Sequence, residues 1–141
     1  MNRNILCVDD SISTTPESTI EALNTLGAGN VHLFFGGLDR GLNYKKLAFH
    51  LKKDTVKAVY FFGSVGQKLH LEIQKTSQVP VFYSPTLQQS IDTAMANLVN
   101  GDTLLLSPGA SSFDEFTNFK ERGDYFVEKC KFFTEHSTNK L

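Results

Sequence analysis

Short apolar runs alternate with amphipathic stretches along the chain. Five of the runs have strand length but lack the in-and-out alternation of a half-exposed sheet, which is typical of parallel strands buried on both faces. These runs cover residues 5–8, 31–35, 56–62, 79–83 and 103–106. Between them, apolar residues recur three or four positions apart, which predicts helices over 16–26, 44–51, 65–75 and 87–99.

The order of these elements predicts the fold class. Strands that alternate with helices indicate a single doubly wound α/β domain, with a mostly parallel sheet and helices on both of its faces. Pro16 suits the first turn of the first helix, and Gly27 and Gly29 end it. Residues 114–133 are predicted to form one or two helices. We therefore expect one domain over residues 1–135 and a frayed polar tail over 136–141.

Composition narrows the classes of function. The 141 residues carry 14 Lys+Arg against 15 Asp+Glu, a formal net charge of −1, which argues against a polybasic nucleic-acid module. The apolar runs are far shorter than the ~20 residues of a membrane span, and the first residues do not form a signal peptide. Cys7 and Cys130 are too few and too far apart in sequence for a metal site or a disulfide framework, which favours a reduced, cytoplasmic protein.

Polar and small residues collect directly after the predicted strands. Ligands of such sheets bind beyond the carboxyl ends of the strands, so these segments form the candidate site, although every strand also needs a turn. The segments are 9–11 (DDS), 36–40 (GGLDR), 63–64 (GS), 84–85 (SP) and 107–112 (SPGASS).

The acidic pair Asp9 and Asp10 suggests a phosphoacceptor receiver domain. That chemistry needs three carboxylates and a lysine around a metal-bound phosphoryl group. The third strand ends without the acceptor aspartate and the fifth has no lysine near Pro108, so only Ser84 fits the pattern. The glycine-rich stretch 36–41 likewise has neither the P-loop spacing nor the dinucleotide-binding spacing.

Three further features allow both a functional and a structural interpretation. The hydroxyl-rich segment 11–15 either holds an anion at a helix N-terminus or supplies a helix cap from Thr14 or Thr15. Arg40 either binds a carboxylate or phosphate with its planar fork or is an exposed loop residue. Residues 111–112, both serines, either face a ligand or cap the next segment. The histidines are scattered without cysteine partners, which supports neither a metal site nor a catalytic triad. They are His32, His50, His70 and His136.

Three of these segments together resemble the C-terminal, glutamate ligase domain of the Mur ligase family, and most of all its UDP-N-acetylmuramoyl-L-alanine:D-glutamate ligases. The matching stretches are DSISTTPEST at 10–19, GGLDRG at 36–41, and LLSPGASSFDEF at 105–116, the last continued by NFKERGD at 118–124. The resemblance covers essentially the whole chain, and the motif that begins at residue 105 is long and specific.

The resemblance implies one part of a three-domain enzyme of peptidoglycan synthesis. In that family the first domain holds the UDP-sugar, the central domain carries the P-loop and metal ligands, and the third domain closes over the site. ATP phosphorylates the alanine carboxylate of UDP-N-acetylmuramoyl-L-alanine, and the amine of glutamate attacks this acyl phosphate. ADP, phosphate and an amide are the products.

The resemblance also implies roles for individual residues. Asp10 matches the aspartate that contacts the ATP ribose. Thr14, Arg40, Ser112 and Phe119 match positions around the incoming glutamate, and Phe113 is expected to shape the same pocket wall.

Ile12 departs from the family pattern. The best-known members carry a lysine there, beside the substrate, whereas Arg40 stands where the family commonly has a lysine. Either Arg40 and helix N–H groups compensate for the missing charge, or the acceptor or its stereochemistry differs, as in branches that add L-glutamate.

The chain has no P-loop. We therefore expect an excised domain, inactive by itself, with no catalytic residue or metal ligand of its own; ATP and Mg²⁺ would be bound mainly by the absent central domain. The expected partners are glutamate, ATP and UDP-N-acetylmuramoyl-L-alanine, with no nucleic acid or membrane, in a cytoplasmic monomer. The alternatives are another amide ligase of the superfamily, such as one that adds L-glutamate or a folylpolyglutamate synthase, and a non-catalytic nucleotide-binding module.

Overall fold

The computed structural model describes residues 4–27, 29–133 and 138–140. Strands and helices alternate along them. In chain order the elements are β1 (Leu6–Asp9), α1 (Pro16–Leu26), β2 (Val31–Gly36), α2 (Lys45–His50), β3 (Ala58–Phe62), α3 (Gly63–Ile73), β4 (Val81–Ser84), α4 (Leu87–Met95), β5 (Thr103–Leu106), α5 (Phe119–Phe133) and β6 (Thr138–Lys140).

The strands form one parallel sheet in the order β4-β3-β2-β5-β1-β6. Successive residues of the central strands point to opposite faces, so that Leu33 and Phe35 join one core while Phe34 joins the other. Helices α1, α2 and α3 cover the first core, and α4 and α5 cover the second. The predicted doubly wound α/β fold, with helices on both faces of a parallel sheet, is confirmed.

The last helix begins later than the sequence suggested. Residues 113–118 form turns, and α5 starts only at Phe119. Asn118 caps it, because its side-chain oxygen accepts a hydrogen bond from the Glu121 N–H at 2.8 Å. The prediction that Ser111 or Ser112 caps a helix is therefore wrong.

The two cysteines lie in the same core although 122 residues separate them in sequence. Cys7 on β1 and Cys130 on α5 are both fully buried in the second core, between the sheet and the helices α4 and α5. A hydrogen bond with the Cys7 thiol, together with burial, raises the pKa of Cys130. The sequence distance therefore says nothing about their separation in space, because α5 returns the end of the chain to β1.

The end of the chain also differs from the frayed tail expected over 136–141. Thr138–Lys140 form β6, which pairs in parallel with β1 at the edge of the sheet. Backbone pairing along an exposed strand edge stabilises such a segment whatever its side chains, so a polar composition did not reveal it. Residues 134–137 and 141 lie outside the described part of the chain. No helix in the described part is both long and apolar enough to cross a bilayer.

The strand order places a topological switch point between β2 and β5. From β2 the chain leaves toward β3, whereas from the neighbouring β5 it leaves in the opposite direction. Doubly wound sheets bind their ligands in the crevice beyond the carboxyl ends of the two strands at such a switch point. This position is the expected ligand site of a doubly wound sheet.

A buried polar network closes the opposite, amino-terminal edge. His32 Nε2 lies 2.8 Å from Asp102 Oδ2, and His32 Nδ1 lies 2.9 Å from the Tyr60 hydroxyl. Lys57 Nζ contacts the same carboxylate at 3.1 Å, and the Val99 N–H donates to it at 3.1 Å. Neutral His32 satisfies both neighbours when Nε2 donates to Asp102 and Nδ1 accepts from Tyr60.

This network should make the stability of the fold depend on pH. Burial lowers the pKa of His32 below 6.5, although Asp102 opposes the shift. The unfolded chain then binds the proton more readily, so the contribution of His32 to stability is present above about pH 6.5 and is lost as the pH falls below it. Urea unfolding from about pH 8 to about pH 5 should show a shallower loss of stability for His32→Gln than for the wild type. Parallel curves for the two proteins would contradict this origin.

Candidate functional site

Four loops meet at the carboxyl edge of the sheet through backbone hydrogen bonds. The Gly109 N–H donates to Ser13 O at 2.9 Å, which joins the loops after β5 and β1. The Gly36 N–H donates to Pro108 O at 3.0 Å and the Gly37 N–H to Phe62 O at 3.2 Å, which joins β2 to the loop after β5 and to β3. The segments that the sequence placed at separate strand ends therefore form one rigid surface.

Glycine at the end of β2 permits this close approach. Gly36 and Gly37 have φ of 155° and 138°, where side chains are rarely tolerated. A Cβ on Gly36 would overlap the Phe62 carbonyl, and one on Gly37 would overlap the Ser111 carbonyl. The glycine-rich stretch after β2 thus lets backbone pack on backbone beside the crevice.

Asp10 lies directly after β1, and the residue is buried. Its Oδ2 accepts hydrogen bonds from the hydroxyls of Ser13 at 2.6 Å and Ser107 at 2.7 Å. Burial raises the pKa of Asp10, and the charge of Asp9 adds to this, although both hydroxyls oppose the shift. The hydrogen bonds from described residues fall on Oδ2, so the other oxygen remains for a ligand donor.

The segment after Asp10 leads into α1. Thr15 caps the helix by accepting from the Ser18 N–H at 3.3 Å, so the capping role open to both threonines belongs to Thr15. Thr14 is half-buried just before the cap, and the Ile12 side chain is 63% exposed. An exposed apolar side chain therefore stands where the family pattern has a lysine.

Arg40 lies in the exposed loop between β2 and α2. The neighbouring Asp39 organises this loop, since its N–H donates to Ser64 Oγ at 2.9 Å and its carboxylate accepts from the Gly41 N–H at 2.9 Å. Arg40 itself makes no hydrogen bond or ion pair with any described residue. Its guanidinium is consequently available to an anion that approaches the crevice.

Two serines line the other side of the crevice after β5. Ser112 is 2% exposed, and its carbonyl accepts from the Phe116 N–H at 2.8 Å, which fixes the turn. Ser111 pairs with Leu38 of the loop after β2 through a 3.0 Å backbone bond. The buried Ser111 hydroxyl has no hydrogen-bond partner among the described residues. Two hydroxyls therefore stand beside the loop that carries Arg40.

The chain matches the model of a family described as Mur ligase, glutamate ligase domain, over residues 1–110. The chain belongs to this family.

Relatives of this glutamate ligase domain share one name. Three proteins called UDP-N-acetylmuramoylalanine–D-glutamate ligase are similar to it: that of Buchnera aphidicola with 37% identity over 93% of this chain, that of Lactococcus lactis with 34% over 85%, and that of Bdellovibrio bacteriovorus with 36% over 88%. The alignments cover 29%, 26% and 26% of those proteins. The chain thus matches less than a third of the length of these curated relatives.

The domain exposes aromatic side chains beside its crevice. Phe113 is 64% exposed and Phe119 is 43% exposed, whereas Phe116 is partly buried in the second core. Phe116 therefore belongs to the core, whereas the two expected pocket residues, Phe113 and Phe119, do not. The two exposed rings, at either end of the turn over 113–118, offer apolar surface next to Ser112.

A buried arginine that sequence reasoning did not single out holds the site loops together. Arg122 on α5 is fully buried, and its Nε donates to Ser11 Oγ at 2.9 Å while Nη2 donates to Ser11 O at 2.9 Å. Nη1 donates to Ala110 O at 3.0 Å. The Ser11 hydroxyl in turn donates to Phe119 O at 2.7 Å. One guanidinium therefore connects the loops after β1 and β5 with the start of α5.

Burial lowers the pKa of Arg122 to about 10, although the charges of Asp114, Glu115 and Asp9 oppose this, so the side chain stays protonated at neutral pH. The signal in the sequence was its place within the matched stretch NFKERGD. An arginine there looks like a surface residue of an amphipathic helix until the turn over 113–118 brings it inward.

Two carboxylates flank this arginine on the turn after Ser112. Both Glu115 oxygens accept from the Leu87 N–H, at 3.1 and 3.3 Å, which caps α4 from a distant loop. Burial raises the pKa of both Asp114 and Glu115.

Within the described part of the chain, no three histidine, cysteine or acidic side chains are placed to hold a metal ion.

Proposed function

We propose that this chain is the C-terminal domain of an ATP-dependent ligase that adds glutamate, with D-glutamate as the first candidate, to UDP-N-acetylmuramoyl-L-alanine. Membership of the glutamate ligase family and the names of the relatives support this assignment. The observation that carries it is the switch point between β2 and β5, where Arg40, unpaired among the described residues, and the serines Ser111 and Ser112 stand on the two loops. A guanidinium with serine hydroxyls beside it suits the two carboxylates of a small dicarboxylate.

The proposed acceptor site uses the loops already joined by Arg122. Arg40 would bind the side-chain carboxylate of glutamate, and Ser112 and Thr14 would donate to its other polar groups. The exposed rings of Phe113 and Phe119 would cover the carbon chain and exclude water. Ile12 would contribute apolar contact only, so the charge of glutamate falls to Arg40 and to nearby backbone N–H groups.

Asp10 is the proposed ATP contact. A carboxylate accepts hydrogen bonds from both hydroxyls of a ribose, and the hydroxyls of Ser13 and Ser107 occupy only Oδ2. The described residues offer no cluster for Mg²⁺, so the proposed reaction takes its metal ligands and its P-loop from the remainder of a longer protein. We expect the 141-residue chain alone to be inactive.

In the proposed reaction ATP phosphorylates the terminal carboxylate of UDP-N-acetylmuramoyl-L-alanine, and the glutamate amine displaces phosphate from the acyl phosphate. The amide, ADP and phosphate are the products. The contribution of this domain is to position glutamate and to shield the acyl phosphate from water.

Phosphate release by the intact parent protein tests the assignment. With ATP, Mg²⁺ and UDP-N-acetylmuramoyl-L-alanine, we expect release that requires D-glutamate. Arg40→Ala should lower kcat/KM for glutamate by about 100-fold, because hydrogen bonds to a charged group worth roughly 2–3 kcal/mol are lost. Arg40→Lys should lower kcat/KM for glutamate by about tenfold, since the positive charge remains but the bidentate guanidinium is lost. Lys75→Ala, on the exposed surface, is the control and should leave kcat/KM unchanged.

Other results of this assay would change the assigned isomer, the assigned reaction or the role of Arg40. Release with L-glutamate alone would assign the opposite isomer and would connect it with the missing charge at Ile12. Release with neither isomer would reject the reaction in favour of another amide ligase of the superfamily or a nucleotide-binding module. Unchanged kinetics in Arg40→Ala would remove Arg40 from the glutamate site.

A further inference from the structure

The positive charge of this domain is concentrated around α2. The overall charge of −1 argued against a polybasic nucleic-acid module, yet residues 45–57 contain five lysines and a single acidic residue, Asp54. Lys57 pairs with the buried Asp102. The other four, at positions 45, 46, 52 and 53, are exposed and form no ion pair with any described residue.

An exposed phenylalanine stands among these lysines. Phe49 is 76% exposed, more than any other large hydrophobic residue in the described part of the chain. Two hollows adjoin it and share Phe49 and Lys52 in their walls. One, of about 330 Å³, has apolar side chains in its wall together with the polar side chains of Thr76, Ser77 and Gln78; the apolar ones are Ala48, Leu51 and Ile73.

The second hollow, of about 480 Å³, is cationic. Lys46, His50 and Lys52 contribute to its wall, together with Asp54. The exposed ring of Phe49 thus lies beside both lysine side chains and apolar wall residues. This pairing matches the two parts of a phospholipid, whose phosphate headgroup and acyl chain are adjacent.

This surface lies away from the glutamate ligase crevice. α2 runs back from the carboxyl edge of the sheet, and the segment after it enters β3, where the Lys57 N–H donates to Val31 O at 2.7 Å. The patch therefore faces the amino ends of the strands. A partner bound there leaves the loops with Arg40 and Ser112 open.

We propose that the exposed side chains of Lys45, Lys46, Phe49, Lys52 and Lys53, the α2 basic surface, dock this protein on an anionic phospholipid bilayer. Clusters of four or more lysines beside an exposed apolar side chain are the pattern of peripheral binding to acidic lipids. Nucleic-acid grooves instead align several aromatic platforms with arginines, and residues 45–57 contain one exposed aromatic ring and no arginine.

Vesicle co-sedimentation of the 141-residue chain tests the proposal. We expect binding to vesicles of equimolar phosphatidylglycerol and phosphatidylcholine, little binding to pure phosphatidylcholine, and weaker binding as salt is added. Each lysine near an anionic surface contributes about fivefold, so Lys52→Gln with Lys53→Gln should weaken binding by about 25-fold. Phe49→Ser should weaken it by about tenfold, since one inserted apolar side chain is lost.

The matched control changes two lysines on the other face of the sheet. Lys129→Gln with Lys131→Gln removes the same charge from α5 and should leave vesicle binding within about twofold. Equal weakening by both pairs, or no binding to acidic vesicles, would overturn the proposal. Binding to a single-stranded oligothymidine but not to vesicles would also overturn it and would assign a nucleic-acid surface. Phosphate release by the parent protein is a separate readout, so failure here leaves the proposed ligase function untouched.

Discussion

Replacing Arg122 with alanine should lower the free energy of unfolding by about 3–5 kcal/mol, the range expected when one partner of a buried charged network is removed. The guanidinium donates three hydrogen bonds at 2.9–3.0 Å to Ser11 and Ala110 and is fully buried. Its loss leaves two backbone carbonyls without donors and a cavity between α5 and the site loops. Urea unfolding followed by circular dichroism measures the change.

Two variants separate the geometry of this side chain from its charge and from general effects. Arg122→Lys keeps a cation but cannot reach three acceptors at once, so we expect it to recover only part of the loss. Lys120→Ala removes an exposed side chain paired with Asp124 and should leave the free energy of unfolding nearly unchanged. If Arg122→Ala were as stable as Lys120→Ala, the central role assigned to the guanidinium would be wrong.

Loosening this network should also affect the candidate site. Arg122 joins the loop that carries Ser112 to the loop that carries Asp10, so Arg122→Lys in the intact parent protein should raise KM for both glutamate and ATP. A variant that only destabilised the fold would instead lower the amount of active protein without changing KM at a temperature well below its melting point.

Gly36→Ala should lower the free energy of unfolding by about 2–6 kcal/mol. Two effects add: a φ of 155° strains any residue with a Cβ by about 1–3 kcal/mol, and overpacking in a tight contact adds about 1–3 kcal/mol. The atoms in the way belong to the backbone of Phe62 on the paired strand, which cannot rotate aside as a side chain can. Thermal and urea unfolding should both report the loss.

Gly41→Ala is the matched control for this prediction. Gly41 also has a positive φ, of 77°, but a Cβ there meets no atom within 4 Å. Gly41→Ala should therefore lower the free energy of unfolding by about 1–2 kcal/mol, from backbone strain alone. Equal costs at both positions would show that conformation, and not the close approach of β2 to β3, decides the effect.

The order of elements could be predicted from the sequence because hydrophobic periodicity is a local property. The limits of α1 and β5 were predicted to the residue, and both have sharp signals: Pro16 and Gly27 bound the helix, and buried leucines fill the strand. Limits lacking such signals shifted by a few residues, as at β3, which starts at Ala58 and not at residue 56. These shifts left the fold class unchanged.

The pairing of distant residues could not be predicted in this way. Cys7 with Cys130 and His32 with Asp102 become neighbours only because particular strands and helices lie side by side. The edge strand β6 depends on pairing with β1 and not on its own polar sequence.

The sequence by itself determined the α/β class, the parallel sheet and the set of loops at the ligand edge, because local spacing and turn residues encode them. The resemblance carried by its motifs named Asp10, Thr14, Arg40, Ser112, Phe113 and Phe119 as the candidate site. Only the tertiary structure decided that Arg122 is buried between these loops. It also decided that, among the described residues, the Ser111 hydroxyl has no hydrogen-bond partner and four lysines around Phe49 form no ion pair. Burial and pairing depend on which surfaces the fold brings together, and a linear pattern does not specify them.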